Sequence, residues 1–185
     1  MNKKGFTLIE VSLVLGLAAA IFLMAFIALP GLWASQRDSQ RRANVMAVIS
    51  DLKNYQTNNS RGALPTGGST SFTLQNARGQ NPADGTWMYF IKNYIPRDFA
   101  DPDMDSAGSN LWFTIYTCNQ SNTGSTCTNT GDNTATTPNF NNKRLTIYIF
   151  TAATCDGDQA VRANSERSAA AIQVLERSGR YCANT

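Results

Sequence analysis

From Phe6 to Leu29 the chain is apolar or small at every position except Thr7, Glu10 and Ser12. Such a run is long enough to cross a bilayer as a helix rising about 1.5 Å per residue. After Trp33 the continuous run gives way to a helical period. Ala43, Val45, Met46, Val48, Ile49, Leu52 and Tyr55 recur at three-to-four spacing among Gln36, Arg37, Asp38, Gln40, Arg41, Arg42, Asp51 and Lys53. This predicts that the helix continues as an amphipathic segment with one face on a globular head. Asn58, Asn59, Ser60, Gly62 and Pro65 mark its end, so an unbroken helix from Phe6 to about Asn58 would be roughly 80 Å long. Pro30-Gly31 falls inside it. Proline removes an amide donor and costs about 3 kcal/mol in a helix interior, and glycine adds about 1 more, so a break or kink is expected there.

Beyond the helix the pattern is weaker. The stretch from Gly62 to Gly85 is rich in Gly, Ser, Thr, Asn and Gln and reads as an exposed connection. Trp87 to Tyr94 reads as a short helix ended by Pro96. Leu111 to Cys118, Arg144 to Thr151 and Ala170 to Glu176 carry β-branched or aromatic residues in partial alternation and read as strands. In the second of these, Leu145, Ile147 and Ile149 share one face, with Tyr148 and Phe150 on the other. Asn119 to Asn142 is almost devoid of core-forming residues apart from Phe140 and reads as a surface excursion. The expected fold class is α+β, with a long N-terminal helix packed on a small antiparallel sheet.

Glu10 is the residue that decides how the apolar segment is understood. Lys3 and Lys4 precede the run, and the positive-inside rule keeps them cytoplasmic, with everything after Pro30 exported. A cleaved secretory signal needs small residues before its cut site, and Leu32-Trp33-Ala34 supplies one of the two. A plain anchor fits the length but gives no reason for a carboxylate inside the run. Unpaired at the bilayer centre, that group costs on the order of 2.5–3.5 kcal/mol, less near the interface.

The segment Lys3-Lys4-Gly5-Phe6-Thr7-Leu8-Ile9-Glu10 resembles the class III signal of type IV prepilins and type II secretion pseudopilins: basic leader, glycine, phenylalanine, apolar run, then glutamate. The resemblance implies cleavage between Gly5 and Phe6 by a prepilin peptidase, with methylation of the new Phe6 amine. It also implies that Glu10 meets the amino terminus of a neighbouring subunit, offsetting desolvation and setting register. The resulting organisation is a leader at 1–5, a transmembrane and filament-core helix at 6–29, an amphipathic helix at 30–58 and an α+β head at 59–185. Helix around Ala25 to Gly31, beside Pro30, is then expected to extend or melt in the polymer. The implied partners are further copies of the chain, membrane lipid before assembly, a platform with its motor ATPase, and minor pilins. The implied task is an adhesion or twitching pilus, with a secretion pseudopilus or DNA-uptake pilus as alternatives. A membrane-anchored extracellular binding protein that never polymerises would share the same spine.

Composition narrows the chemistry. The chain has no histidine, which removes the commonest general base and zinc ligand, so no enzyme is expected. A net charge of +3 is too small to point to nucleic acid. The four cysteines, Cys118, Cys127, Cys155 and Cys182, lack a C-x-x-C spacing and read as disulfides of an exported head rather than a zinc site. Of three pairings, Cys118–Cys127 and Cys155–Cys182 are expected, the second because the resemblance implies a disulfide-bounded tail. Asp98, Asp101, Asp103 and Asp105 precede Gly108. Asp101, Asp103 and Asp105 could surround Ca²⁺, as major pseudopilins use calcium. Ser106 stands where a calcium loop wants glycine, however, and a solvated Asp-Pro turn is the plainer reading. No other cofactor is expected. Arg37, Arg41 and Arg42 with Asp38 form either a solvated helix face or contacts between subunits. Asn58-Asn59-Ser60 and Asn119-Gln120-Ser121 have the form of glycosylation sites.

Overall fold

The computed structural model describes residues 5–59, 61–68, 70–96, 99–103, 111–118, 127–129, 144–177 and 179–185. The chain divides into two units, Met1–Gln36 and Arg37–Thr185. Helix α1 (Leu8–Asn58) supplies all the regular structure of the first unit and the first element of the second.

In the first unit the exposed side chains include Phe6, Leu8, Phe22, Met24, Phe26 and Ile27. The apolar part of α1 is long and apolar enough to cross a membrane, and none of it is buried. Pro30 and Gly31 lie inside α1, which continues as helix through them; the expected melting concerns the polymer. A proline deprives the ladder of a single amide bond. The good helix formers on either side, such as Leu29 and Leu32, keep the remaining turns bonded.

The second unit is an α+β fold with a mixed sheet. Its elements after α1 are β1 (Ser71–Thr73), α2 (Leu74–Gly79), α3 (Trp87–Tyr94), β2 (Trp112–Thr117), β3 (Thr128–Asn129), β4 (Thr146–Thr151), β5 (Ala153–Asp156), β6 (Gln159–Arg162), β7 (Ala169–Val174) and β8 (Arg180–Asn184). The sheet runs β1-β2-β4-β7-β8, with β3 pairing β2 in addition, and β5-β6 forms a separate hairpin. The pairings β1–β2, β4–β7 and β7–β8 are antiparallel. Strands β2 and β4 are parallel, Phe113 opposite Ile147 and Ile115 opposite Ile149, which corrects the expected all-antiparallel sheet. A parallel neighbour requires a crossover of a dozen or more residues, and the long excursion after Cys118 supplies that length.

The alternation read in β4 sorts into two cores. Ile147 and Ile149 join Val45, Val48, Leu52, Phe90 and Phe113 in one cluster, between the sheet and α1 with α3. Tyr148 and Phe150 join Tyr116, Cys118, Cys127 and Ala153 on the opposite face. Leu145, expected on the first face, lies in the turn before β4 and is half-buried. The stretch from Gly62 to Gly85, expected as a loop, contains β1 and α2. Thr73 ends β1 and caps α2 by accepting the Asn76 amide at 3.1 Å. Helix α3 starts on a similar cap, Thr86 accepting the Tyr89 amide at 3.3 Å. Along α1, Val45, Val48, Ile49, Leu52 and Tyr55 are buried as expected, whereas Ala43 and Met46 are exposed.

Disulfides bond Cys118 to Cys127, between the ends of β2 and β3, and Cys155 to Cys182, between β5 and β8. No cysteine among the described residues is free. The second bridge closes a sequence separation of 27 residues, for which loop entropy gives about 3 kcal/mol of stabilisation.

Candidate functional site

Two polar constructions stand out, one in each unit. At the start of α1, the Thr7 amide and hydroxyl donate to Glu10 Oε2 at 3.0 and 2.9 Å, and the Glu10 amide donates back to Thr7 Oγ1 at 3.4 Å. The Thr7 carbonyl accepts the first helical bond, from the Val11 amide at 3.3 Å. Thr7-Leu8-Ile9-Glu10 is therefore a capping box, in which threonine and glutamate satisfy each other's amides. The Thr-x-x-Glu spacing carries that signal in the sequence. The carboxylate thus has a partner within its own helix, which a plain anchor would also provide. Oε2 is engaged, while Oε1 has no partner among the described residues. Phe6 is exposed beside this cap, and Gly5 has open space around it. The leader residues before Gly5 lie outside the described residues.

The second construction is a buried charge network centred on Arg41, whose side chain is wholly inaccessible. Arg41 Nε and Nη2 donate to Asp101 Oδ2 and Oδ1, both at 3.2 Å, and Nη1 donates to Glu176 Oε1 at 3.2 Å. Nη2 also contacts Asp103. Arg37 forks onto both oxygens of Glu176 at 2.6 and 2.8 Å, and Arg144 lies 3.9 Å from the same carboxylate. Asp38 accepts the amides of Glu176 and Arg177 at 2.6 and 3.1 Å, fixing the chain after β7 to α1. Gln173 donates to Asp101 at 2.6 Å and to the Arg144 carbonyl at 2.9 Å. Burial works against the charged guanidinium. Hydrogen bonds and charge from Asp101, then charge from Asp103 and a bond to Glu176, outweigh it and hold Arg41 protonated above its ordinary range.

This network corrects the expectation of a solvated helix face and gives two of the carboxylates read as calcium ligands another partner. Arg41 and Asp38 do not form a solvated face; they are buried and paired within the head. Arg42 remains exposed and lies 5.7 Å over the Tyr181 ring. Asp101 and Asp103, read as possible calcium ligands, face a guanidinium that already supplies the positive charge. Bidentate hydrogen bonds from arginine satisfy the carboxylate oxygens a hard cation would need. No cluster of three metal-ligating side chains occurs among the described residues. Asp98, Asp105, Gly108, Ser60 and Asn119-Gln120-Ser121 lie outside the described residues.

Glu176 carries a testable consequence. Hydrogen bonds from Arg37, opposed by burial and reinforced by Arg41, lower its carboxyl from the ordinary 4.5 to about 2. A depressed acid contributes stability that is complete above its unfolded value and lost as pH falls through its folded one. Unfolding free energy should thus decline between about pH 4.5 and pH 2. In Glu176→Gln the slope over that window should flatten, as read by denaturant unfolding at stepped pH. An unchanged slope would remove Glu176 as its source.

Compared with known protein families, curated proteins and solved structures, the chain matches none.

Proposed function

We propose that the protein is a structural subunit of a type IV pilus-like filament, held in the membrane by the apolar part of α1 before assembly and serving adhesion or twitching motility. The observation that carries this reading is the segment Gly5-Phe6-Thr7-Leu8-Ile9-Glu10 opening a helix whose apolar run is entirely unburied. Such a surface has to be covered by lipid or by other helices. Apolar burial in lipid and in a helix bundle is similar, so the segment can pass between them without a prohibitive cost. Oε1 of Glu10, which no described residue engages, leaves room for a second partner beside the intrahelical cap. In this reading the partner is the methylated amine of Phe6 on an adjacent copy, created by a prepilin peptidase, with a platform and motor ATPase driving insertion. The two disulfides suit a head that folds in an oxidising space. Helix around Pro30 is the segment expected to extend in the polymer.

The capping box favours one other reading. Because Thr7 already serves the Glu10 carboxylate, a non-polymerising membrane-anchored binding protein would account for the same helix start. Mass spectrometry of the mature amino terminus, with electron microscopy of sheared cell-surface material, separates the two. A methylated Phe6 and filaments containing this chain are expected. An intact Met1, a start at Ser35, or sheared material without filaments would overturn the filament reading.

A further inference from the structure

A solvent-open cavity of about 420 Å³ lies in the head where the end of α1 meets the turn before α3 and α3 itself. Its side chains are Tyr55, Asn58, Asn59, Asp84, Tyr89 and Tyr94, with Gly85 completing the wall. Each of the six ends in a hydrogen-bonding group. The rings of two of the three tyrosines, Tyr55 and Tyr94, are committed to packing. Tyr55 meets Phe90 and Tyr94 edge to face at 5.8 and 5.2 Å, and Tyr94 stacks on Phe90 at 5.8 Å. Tyr55 is only 4% exposed, so little more than its edge reaches the cavity. Asp84 Oδ1 accepts the Gly85 amide at 2.8 Å, and Oδ2 has no partner among the described residues.

These features select a ligand by elimination. Among the described residues no lysine or arginine lines the cavity. The nearby Lys92 ammonium is bound to the Gln80 carbonyl and to Asn81. A phosphate, sulfate or carboxylate would therefore meet Asp84 without a counter-charge. An alkylammonium would need a cage of open ring faces, and with Tyr55 and Tyr94 packed on Phe90 the lining leaves the Tyr89 ring alone for it. An apolar ligand would strand phenol, amide and carboxylate groups that now reach water. What remains is an uncharged molecule dense in hydroxyls. Amides and phenols both donate and accept, a carboxylate oxygen takes a paired hydroxyl, and the volume lies within the range of small-molecule sites.

We propose that this cavity binds a neutral saccharide of one or two rings, as a free sugar or as the end of a surface glycan, with Asp84 and Tyr89 as its principal hydrogen-bonding side chains. The site belongs to the head alone and does not depend on filament assembly. It is tested on the full unassembled chain in a detergent without a sugar headgroup. Saturation-transfer NMR would be run with lactose, cellobiose and N,N′-diacetylchitobiose, against glucose 6-phosphate and choline. At least one neutral disaccharide should receive saturation, and the two charged probes should not. Asp84→Asn and Tyr89→Phe, assayed singly, should each weaken that disaccharide, the aspartate change by about tenfold or more, with unchanged unfolding midpoints. A surface-bound glycan displaced equally well by the free disaccharide would place recognition in the sugar rings; failure of the free sugar to compete would overturn the ring-sized site. The proposal also fails if none of the three disaccharides binds, if choline or the phosphate binds better, or if both variants bind like the parent.

Discussion

Replacing Arg41 with methionine should destabilise the head by about 3–5 kcal/mol, the loss expected when one member of a buried ion pair is removed and its partners stay charged. Asp101 is the reason for the size of the effect. Its side chain is fully inaccessible, and its known partners are Arg41, Gln173 and the Asp103 amide, donating to Oδ1 at 3.0 Å. Without the guanidinium, Asp101 loses the bidentate charged donor on both its oxygens, and Asp103 and Glu176 lose part of their counter-charge. For a head of this size the melting midpoint should fall by about 10 °C. Denaturant unfolding under oxidising conditions, followed by near-ultraviolet circular dichroism, reads the effect. The double variant Arg41→Met with Asp101→Asn should recover part of the loss, because the two side chains interact and their effects do not add. A single-variant loss within about 1 kcal/mol, or no recovery in the double variant, would show that the network contributes as a surface pair does.

Much of the helical part of this fold was legible, for reasons that also explain the omissions. Helix α1 declares itself through an unbroken apolar run followed by a three-to-four period, and α3 through the segment Trp87 to Tyr94 and Pro96 after it. Strands β2, β4 and β7 carry enough aromatic and branched residues to be seen. Strands β1, β5, β6 and β8 are short and mostly half-buried, and α2 is barely a turn and a half, so no period develops in them. Direction was invisible because side-chain alternation is the same for parallel and antiparallel neighbours. In the charged network the signal was present and misread. Asp38, Arg41, Val45, Val48, Leu52 and Tyr55 form one stripe at helical spacing, yet charge assigned the first two to solvent. The partners, Asp101 and Glu176, are separated from Arg41 by 60 and 135 positions in the chain, and no local pattern joins them.

Glu10 offers the sharpest division between a cap and a contact, through Glu10→Gln. Glutamine at the third helical position completes a capping box nearly as well as glutamate, so α1 should start at the same residue and the membrane-held chain should accumulate normally. A neutral amide attracts a neighbouring amine far less than a carboxylate does, especially where lipid and packed helices keep the dielectric low. If Glu10 works between subunits, Glu10→Gln should leave the membrane pool intact and abolish filaments in sheared fractions, as Glu10→Ala should. Thr7→Ala supplies the converse. It removes one side of the box at a cost of about 1 kcal/mol to the helix start while leaving the carboxylate charged, so filaments should persist. Glu10→Gln cells with filaments of normal number and length would reduce the glutamate to its role in the cap. Filaments lost in Thr7→Ala and kept in Glu10→Gln would move the assembly determinant from the charge to the helix start itself.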